Sequence, residues 1–129
     1  MKVMMELSER QYLVMATALE DYARIMMGQF WALEMPYAKR TIANGNREEF
    51  KKKLEELKLL AYPELELHAH YGIGGDKTPE SSKIAYELYK TMRRERWRLN
   101  PTEEYTVDSD SPLKVSGEPF PKIEILEGD

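Results

Sequence analysis

Five residues between positions 86 and 97 have the chemistry to recognise a nucleotide. Tyr86, Tyr89, Arg93 and Arg96 recur at three- and four-residue steps, with Trp97 next to the last of them, which gathers them along one side of a helix. Aromatic faces stack on bases, and planar guanidiniums make two-pronged contacts with phosphates. Tyr, Trp and Arg are also the residues enriched at protein interfaces. The bland alternative is a helix whose long side chains pack against an acidic segment elsewhere in the chain. Ligand, partner and packing all stay open at this point.

A second group lies in "ELELHAHYGIGGDKTPE". If residues 64–71 form a strand, Glu66, His68 and His70 share one face, and His-x-His with a nearby carboxylate can hold zinc or iron. Two histidines are the whole supply of the chain, so a third nitrogen ligand has to come from another subunit. This gives an alternative metal site and, with it, a third functional reading as a metal-dependent enzyme. "GGDKT" approaches a phosphate loop but departs from it, because Asp76 places a carboxylate between Gly75 and Lys77. Thr78 as a helix cap and Pro79 as a first-turn residue explain the Lys-Thr pair better. The turn is expected to deliver His70, Tyr71 and Lys77 near the start of the Tyr/Arg helix, as the rim of a site whose floor lies further along. Neither histidine has a serine or acid partner that the sequence sets beside it, so no catalytic residue and no cofactor is assigned.

Three helices have to position these groups. Ser8 with Gln11 is a capping box, and Tyr12, Met15, Ala16, Leu19, Tyr22, Ala23, Met26, Met27 and Phe30 draw an apolar stripe. The first helix is expected to run to about Met35, where Pro36 stops it, with Gly28 loosening or kinking it. A second starts at Asn46, with Glu49 in the capping-box position, and its stripe is Phe50, Leu54, Leu57, Leu60 and Ala61. The third runs from Thr78-Pro79 to about Leu99 on a core stripe of Ile84, Ala85, Leu88, Met92 and Leu99. Short extended stretches are expected at "KVMMEL", "YTVD", "LKV" and "KIEIL". The fold class read from this pattern is α+β and helix-dominated, with three main helices and a small C-terminal β element. Residues 1–129 form a single domain, of which 101–129 are an extended acidic segment.

Composition narrows the function classes. The chain has 129 residues, no cysteine and a net charge of −4. Disulfides and thiolate chemistry are excluded, and the make-up suits a reducing cytoplasm. The start of the chain is too short and too acidic in its apolar run for a signal peptide, and no stretch suits a membrane span. The negative balance argues against a generic nucleic-acid binder. The charge is uneven, however: residues 83–98 carry six basic and two acidic groups, and residues 101–129 carry eight acidic and two basic ones. The two segments are expected to neutralise each other, within the fold or between subunits.

"ALEDYARIMMGQF", "YGI", "SSKIAYELYKTMRRERWRLNP" and "EEYTVDSDSPLKVSGEPFPKIEI", taken in order, resemble a family of short uncharacterised proteins encoded by bacteriophages and prophages. The resemblance covers most of the chain apart from residues 36–64 and brings no active site with it. It implies a phage accessory protein in the cytoplasm of an infected cell, a context shared by sponge-type anti-defence proteins, which sequester cyclic nucleotides or cyclic ADP-ribose without cleaving them. The leading expectation is therefore a homo-oligomer that binds such a signal through Arg93, Arg96 and their aromatic neighbours. The alternative is an inhibitor or scaffold that binds a host or phage protein.

Overall fold

A computed structural model describes residues 1–35, 45–102, 104 and 106–127. Within them the chain forms α1 (Glu9–Met26), α2 (Arg47–Ala61), α3 (Glu80–Leu99) and a 3-10 turn at Val107–Ser109. Ser8 opens α1 as its spacing predicts. Its hydroxyl accepts the Gln11 N–H at 3.2 Å, and the Gln11 amide oxygen accepts the Ser8 N–H at 2.9 Å, so two orphan donors of the first turn are satisfied.

The first helix stops earlier than expected. Gly28 adopts φ +94°, a left-handed conformation that a helix cannot continue through. The Gln29 N–H bonds back to the Arg24 carbonyl and the Gly28 N–H to that of Ile25, which is a Schellman ending. Helical structure resumes only at residues 31–35. Pro36, the loop residues 41–44 and Tyr105 of "YTVD" lie outside the described residues.

α1 and α3 run antiparallel and make the core. The Tyr12 hydroxyl donates to the Met92 carbonyl at 2.5 Å, and the Tyr22 hydroxyl to Ser81 Oγ at 3.0 Å, near opposite ends of the pair. Ala16, Ala23 and Ala85 are buried between the helices with Tyr89 and Met92, flanked by Tyr12, Met15, Leu19, Tyr86 and Ile123. Alanine at the contact lets the two backbones approach. Tyr89 thus belongs to the core rather than to a second, ligand-facing stripe, and Leu99, expected in the core, is exposed.

α2 is tied in by a buried cation. Lys58 is the buried residue of this helix among those described, and its ammonium donates to the carbonyls of Glu66 at 2.8 Å, of Leu67 at 2.5 Å and of Ala69. The chain from 62 to 71 therefore folds around Lys58 through turns, including Leu65 N–H to Tyr62 and Ala69 N–H to Glu66. The strand expected from the alternation of "ELELHAHY" does not form. A lysine offering three donors to one short segment outweighs a pattern that has no neighbouring strand to pair with. The Tyr71 N–H then bonds to the Met27 carbonyl at 2.9 Å and the Tyr62 hydroxyl to that of Met26 at 2.8 Å, joining this turn to the end of α1.

The small C-terminal β element is likewise absent: no strand occurs among the described residues, at "KVMMEL", "LKV" or "KIEIL". The C-terminal segment is held by side chains of α3 rather than by another strand. Glu87 accepts from the Val115 N–H at 2.7 Å and the Ser116 N–H at 2.8 Å, Glu80 from the Gly117 N–H at 2.5 Å, and the Tyr86 hydroxyl from the Leu113 N–H at 3.2 Å. Those four donors are thus satisfied without a ladder. No helix of the described residues is long and apolar enough to cross a membrane.

Candidate functional site

The last two turns of α3 cross the first two turns of α1, and a cleft of about 490 Å³ opens beside them, within the size range of small-molecule sites. Its walls carry Tyr12, Thr17, Arg93, Arg96 and Trp97 together with Asn100, Glu9 and Asp108, and Leu13, Ala16 and Leu99 supply apolar surface. Another hollow of about 500 Å³ is walled only by Glu and Lys of α2 and brings no aromatic group to them.

The two arginines are engaged differently. Arg93 Nη1 sits 2.8 Å from Glu20 Oε1, and its guanidinium lies 5.2 Å from the centre of the Tyr89 ring. The other Glu20 oxygen holds Arg24 at 2.9 Å. Burial alone would raise the Glu20 carboxyl, but the hydrogen bonds from Arg93 and Arg24 outweigh it and hold it below its ordinary value. Arg93 is thereby fixed in place. Arg96 pairs with Glu9 at 3.0 Å in a contact where both side chains are about half or more exposed, and such a pair is weak and displaceable. Tyr12 is pushed up to about 12, chiefly by burial and then by Glu95, so its hydroxyl stays a donor to Met92. The Trp97 indole N–H is buried and has no acceptor among the described residues, an arrangement that costs free energy.

Only part of the expected constellation is assembled. Arg93, Arg96 and Trp97 meet in the cleft. Tyr86 and Tyr89 do not: they pack edge to face with centroids 5.8 Å apart, Tyr89 in the core and Tyr86 under the C-terminal segment. His70, Tyr71 and Lys77 precede α3, and a helix rising 1.5 Å per residue puts its start about 24 Å from Arg96, so they form no rim for this cleft. His70 Nδ1 lies 2.9 Å from the Tyr71 carbonyl, and the Tyr71 hydroxyl donates to Glu64 at 2.8 Å. The alternative metal set of Glu66, His68 and His70 is not brought together either, and the described residues contain no group of three such ligands arranged for an ion. Without a strand, alternate positions no longer share a face. Thr78, expected to cap α3, instead turns its buried hydroxyl to the Gly72 carbonyl, and Pro79 takes the cap position.

The basic helix is met from two sides. Glu9 and Glu20 of α1 face Arg96 and Arg93, while the C-terminal segment meets Lys90 and Arg94 with the carbonyls of Val107 and Ser109. Tyr12, Glu9, Thr17 and Asp108 are cleft residues that the sequence reading did not select. Tyr12 belongs to the core stripe, and the others carry no local signal because Glu9 and Thr17 reach the cleft only through the packing of α1 on α3 and Asp108 only through the packing of its 3-10 turn on α3.

The chain matches no protein-family model, and no curated protein or solved structure is significantly similar to it.

Proposed function

We propose that this chain is a binding protein whose α1/α3 cleft takes a flat anion of the nucleotide class and holds it without cleaving it. The observation that supports this reading is the juxtaposition of the displaceable Arg96, the Trp97 ring, and the amide and hydroxyl of Asn100 and Thr17 around one cleft. A phosphate can take Arg96 from Glu9, and a base can lie against an aromatic wall. Arg93, already neutralised by Glu20, orients the wall more than it binds. The resemblance to short phage proteins suggests the ligand within the class: a cyclic nucleotide or cyclic ADP-ribose immune signal, sequestered by a homo-oligomer in the host cytoplasm.

Titration of the purified protein with a panel of mononucleotides, cyclic nucleotides and ADP-ribose isomers tests the reading. One member should raise the melting temperature by about 8 °C at about 100 times its Kd, and Arg96→Ala should remove the shift. A flat response over the whole panel overturns it.

One observation favours a second reading, an inhibitor or scaffold acting on a host or phage protein. Trp31 is half exposed with the Arg24 guanidinium 5.3 Å from its ring centre, the pairing that anchors protein interfaces. Capture of a defined partner that is lost with Trp31→Ala and kept with Trp97→Phe would favour it over the cleft.

A further inference from the structure

None of the backbone N–H or carbonyl groups of residues 119–127 is hydrogen-bonded to another described residue. Half-buried and exposed residues nevertheless alternate from Pro121 to Leu126, which is the period of an extended chain. Ile123 packs against the α1/α3 core, so one face anchors this stretch while its edges stay unpaired. Lys122 and Glu124, exposed on the other face, have no ion-pair partner among the described residues. Leu126 shares that face at 81 % exposure, as does Phe120 at 41 %, although the Phe120 ring also meets the Lys114 ammonium at 5.5 Å. An unpaired edge with apolar side chains beside it is a template for another strand.

We propose that residues 120–126 pair antiparallel with the same residues of a second copy, about a twofold axis through Ile123, making between chains the strand pairing that the single chain lacks. Register selects a second copy over another occupant. Pairing about Ile123 sets Lys122 opposite Glu124 of the second copy, Phe120 opposite its Leu126 and Pro121 opposite its Ile125, so unlike charges meet and apolar groups meet. An axis through Glu124 sets two glutamates face to face and Lys122 against a leucine. An axis through Lys122 sets two lysines face to face and Phe120 against a glutamate. An axis between residues sets Ile123 opposite Lys122 or Glu124 and mixes the half-buried face with the exposed one. The sequence is thus complementary to itself in one register.

The prolines select the edge. Successive backbone N–H groups of a strand point to alternate edges, and Pro119 and Pro121 remove donors from the edge of the odd-numbered residues. Phe120, Lys122, Glu124 and Leu126 keep a complete set of donors on the other edge. In the register about Ile123, Lys122 and Glu124 exchange backbone N–H and C=O groups across the axis, and so do Phe120 and Leu126. Pairing on one edge closes the assembly at two copies rather than extending it. None of residues 119–127 lines the α1/α3 cleft, so this interface and a cleft ligand do not compete.

Sedimentation of the full chain over about 1–500 μM, a range suited to so short an interface, tests the pairing. The wild type should pass from one chain mass to two. Glu124→Lys and Lys122→Glu, each alone, should raise the dimer dissociation constant at least about 10-fold, because both symmetry-related pairs become like-charged. An equimolar mixture of the two single variants should recover a dimer, since each chain then faces charges opposite to its own. Both side chains are exposed, so the variants keep the helical circular dichroism signal and the comparison stays readable. A wild type that stays monomeric throughout the range overturns the proposal, even if its segment captures a strand of another protein. So does a dimer that survives both single variants, or a mixture that fails to dimerise. The ligand panel is read separately: a dimer that responds to no nucleotide leaves this interface standing and removes the nucleotide reading alone.

Discussion

The Glu87 carboxylate accepts two hydrogen bonds from Ser116, one from its backbone N–H at 2.8 Å and one from its hydroxyl at 2.5 Å. Glu87 is 2 % exposed. Burial by itself would raise its carboxyl, but the bonds from Ser116, Val115 and Lys114 outweigh burial and bring it down to about 2. A buried carboxylate with this many donors is a clamp, and it fixes the C-terminal segment on α3.

That clamp has a pH signature. Because the folded value lies below the ordinary 4.5, the stabilisation is complete above pH 4.5 and is lost as the pH falls towards 2, by about 2–3 kcal/mol. Glu87→Gln should lower the melting temperature at pH 7 by about 8 °C and flatten the acid limb of the profile. Melting curves between pH 2 and 7 measure both. An acid limb unchanged in the variant would remove Glu87 as its source.

Lys58 organises the turns after α2 through three carbonyls. Lys58→Met keeps the aliphatic stem and deletes the donors, leaving carbonyl oxygens that only partly recover water. The expected cost is about 2 kcal/mol in denaturant unfolding. Lys53→Met, on the exposed side of the same helix, should cost less than about 0.5 kcal/mol.

Gly28→Ala should destabilise the fold by about 1–2 kcal/mol. The position needs φ +94°, and an added Cβ would stand 3.0 Å from Leu65 Cδ1. Calorimetry checks the effect, and proteolysis within residues 62–71 should speed up, since Leu65 packs against the same spot.

Trp97→Phe separates stability from binding. It removes the unsatisfied indole N–H, whose burial costs about 1–3 kcal/mol, and it also removes packed ring atoms. The apo protein should therefore keep its melting temperature to within about 3 °C. The nucleotide-induced shift should fall sharply in the same variant. An apo protein that melts much earlier would mean that the indole is a packing residue first.

Much of the helical frame was legible locally. Ser8 and Gln11 mark the start of α1 three residues apart, and the apolar steps from Tyr12 to Ala23 mark its buried face. The end of α1 was less legible, because Gly28 within a continuing apolar stripe reads equally as a kink or a stop. Only the bonds from Gly28 and Gln29 back to Ile25 and Arg24 decide it. The position of the third helix is legible in its spacing, but the division of its two stripes is not. Tyr89 and Tyr86 differ in environment because α1 covers one and the C-terminal segment the other, and neither neighbour is visible in a helical period.

The sequence by itself determined three helices, a basic third helix, and the presence of arginines and aromatics near its C-terminal end. These follow from capping and from spacing of 3.6 residues, which act between near neighbours. Only the tertiary structure decided which charges are buried, and on periodicity alone Lys58 and Glu87 belong to solvated faces. Each is buried because its partners arrive from elsewhere: three carbonyls 8 to 11 residues further on for Lys58, and two backbone N–H groups 28 and 29 residues on for Glu87. A buried charge is tolerated only where such partners converge, and that convergence is a property of the folded chain.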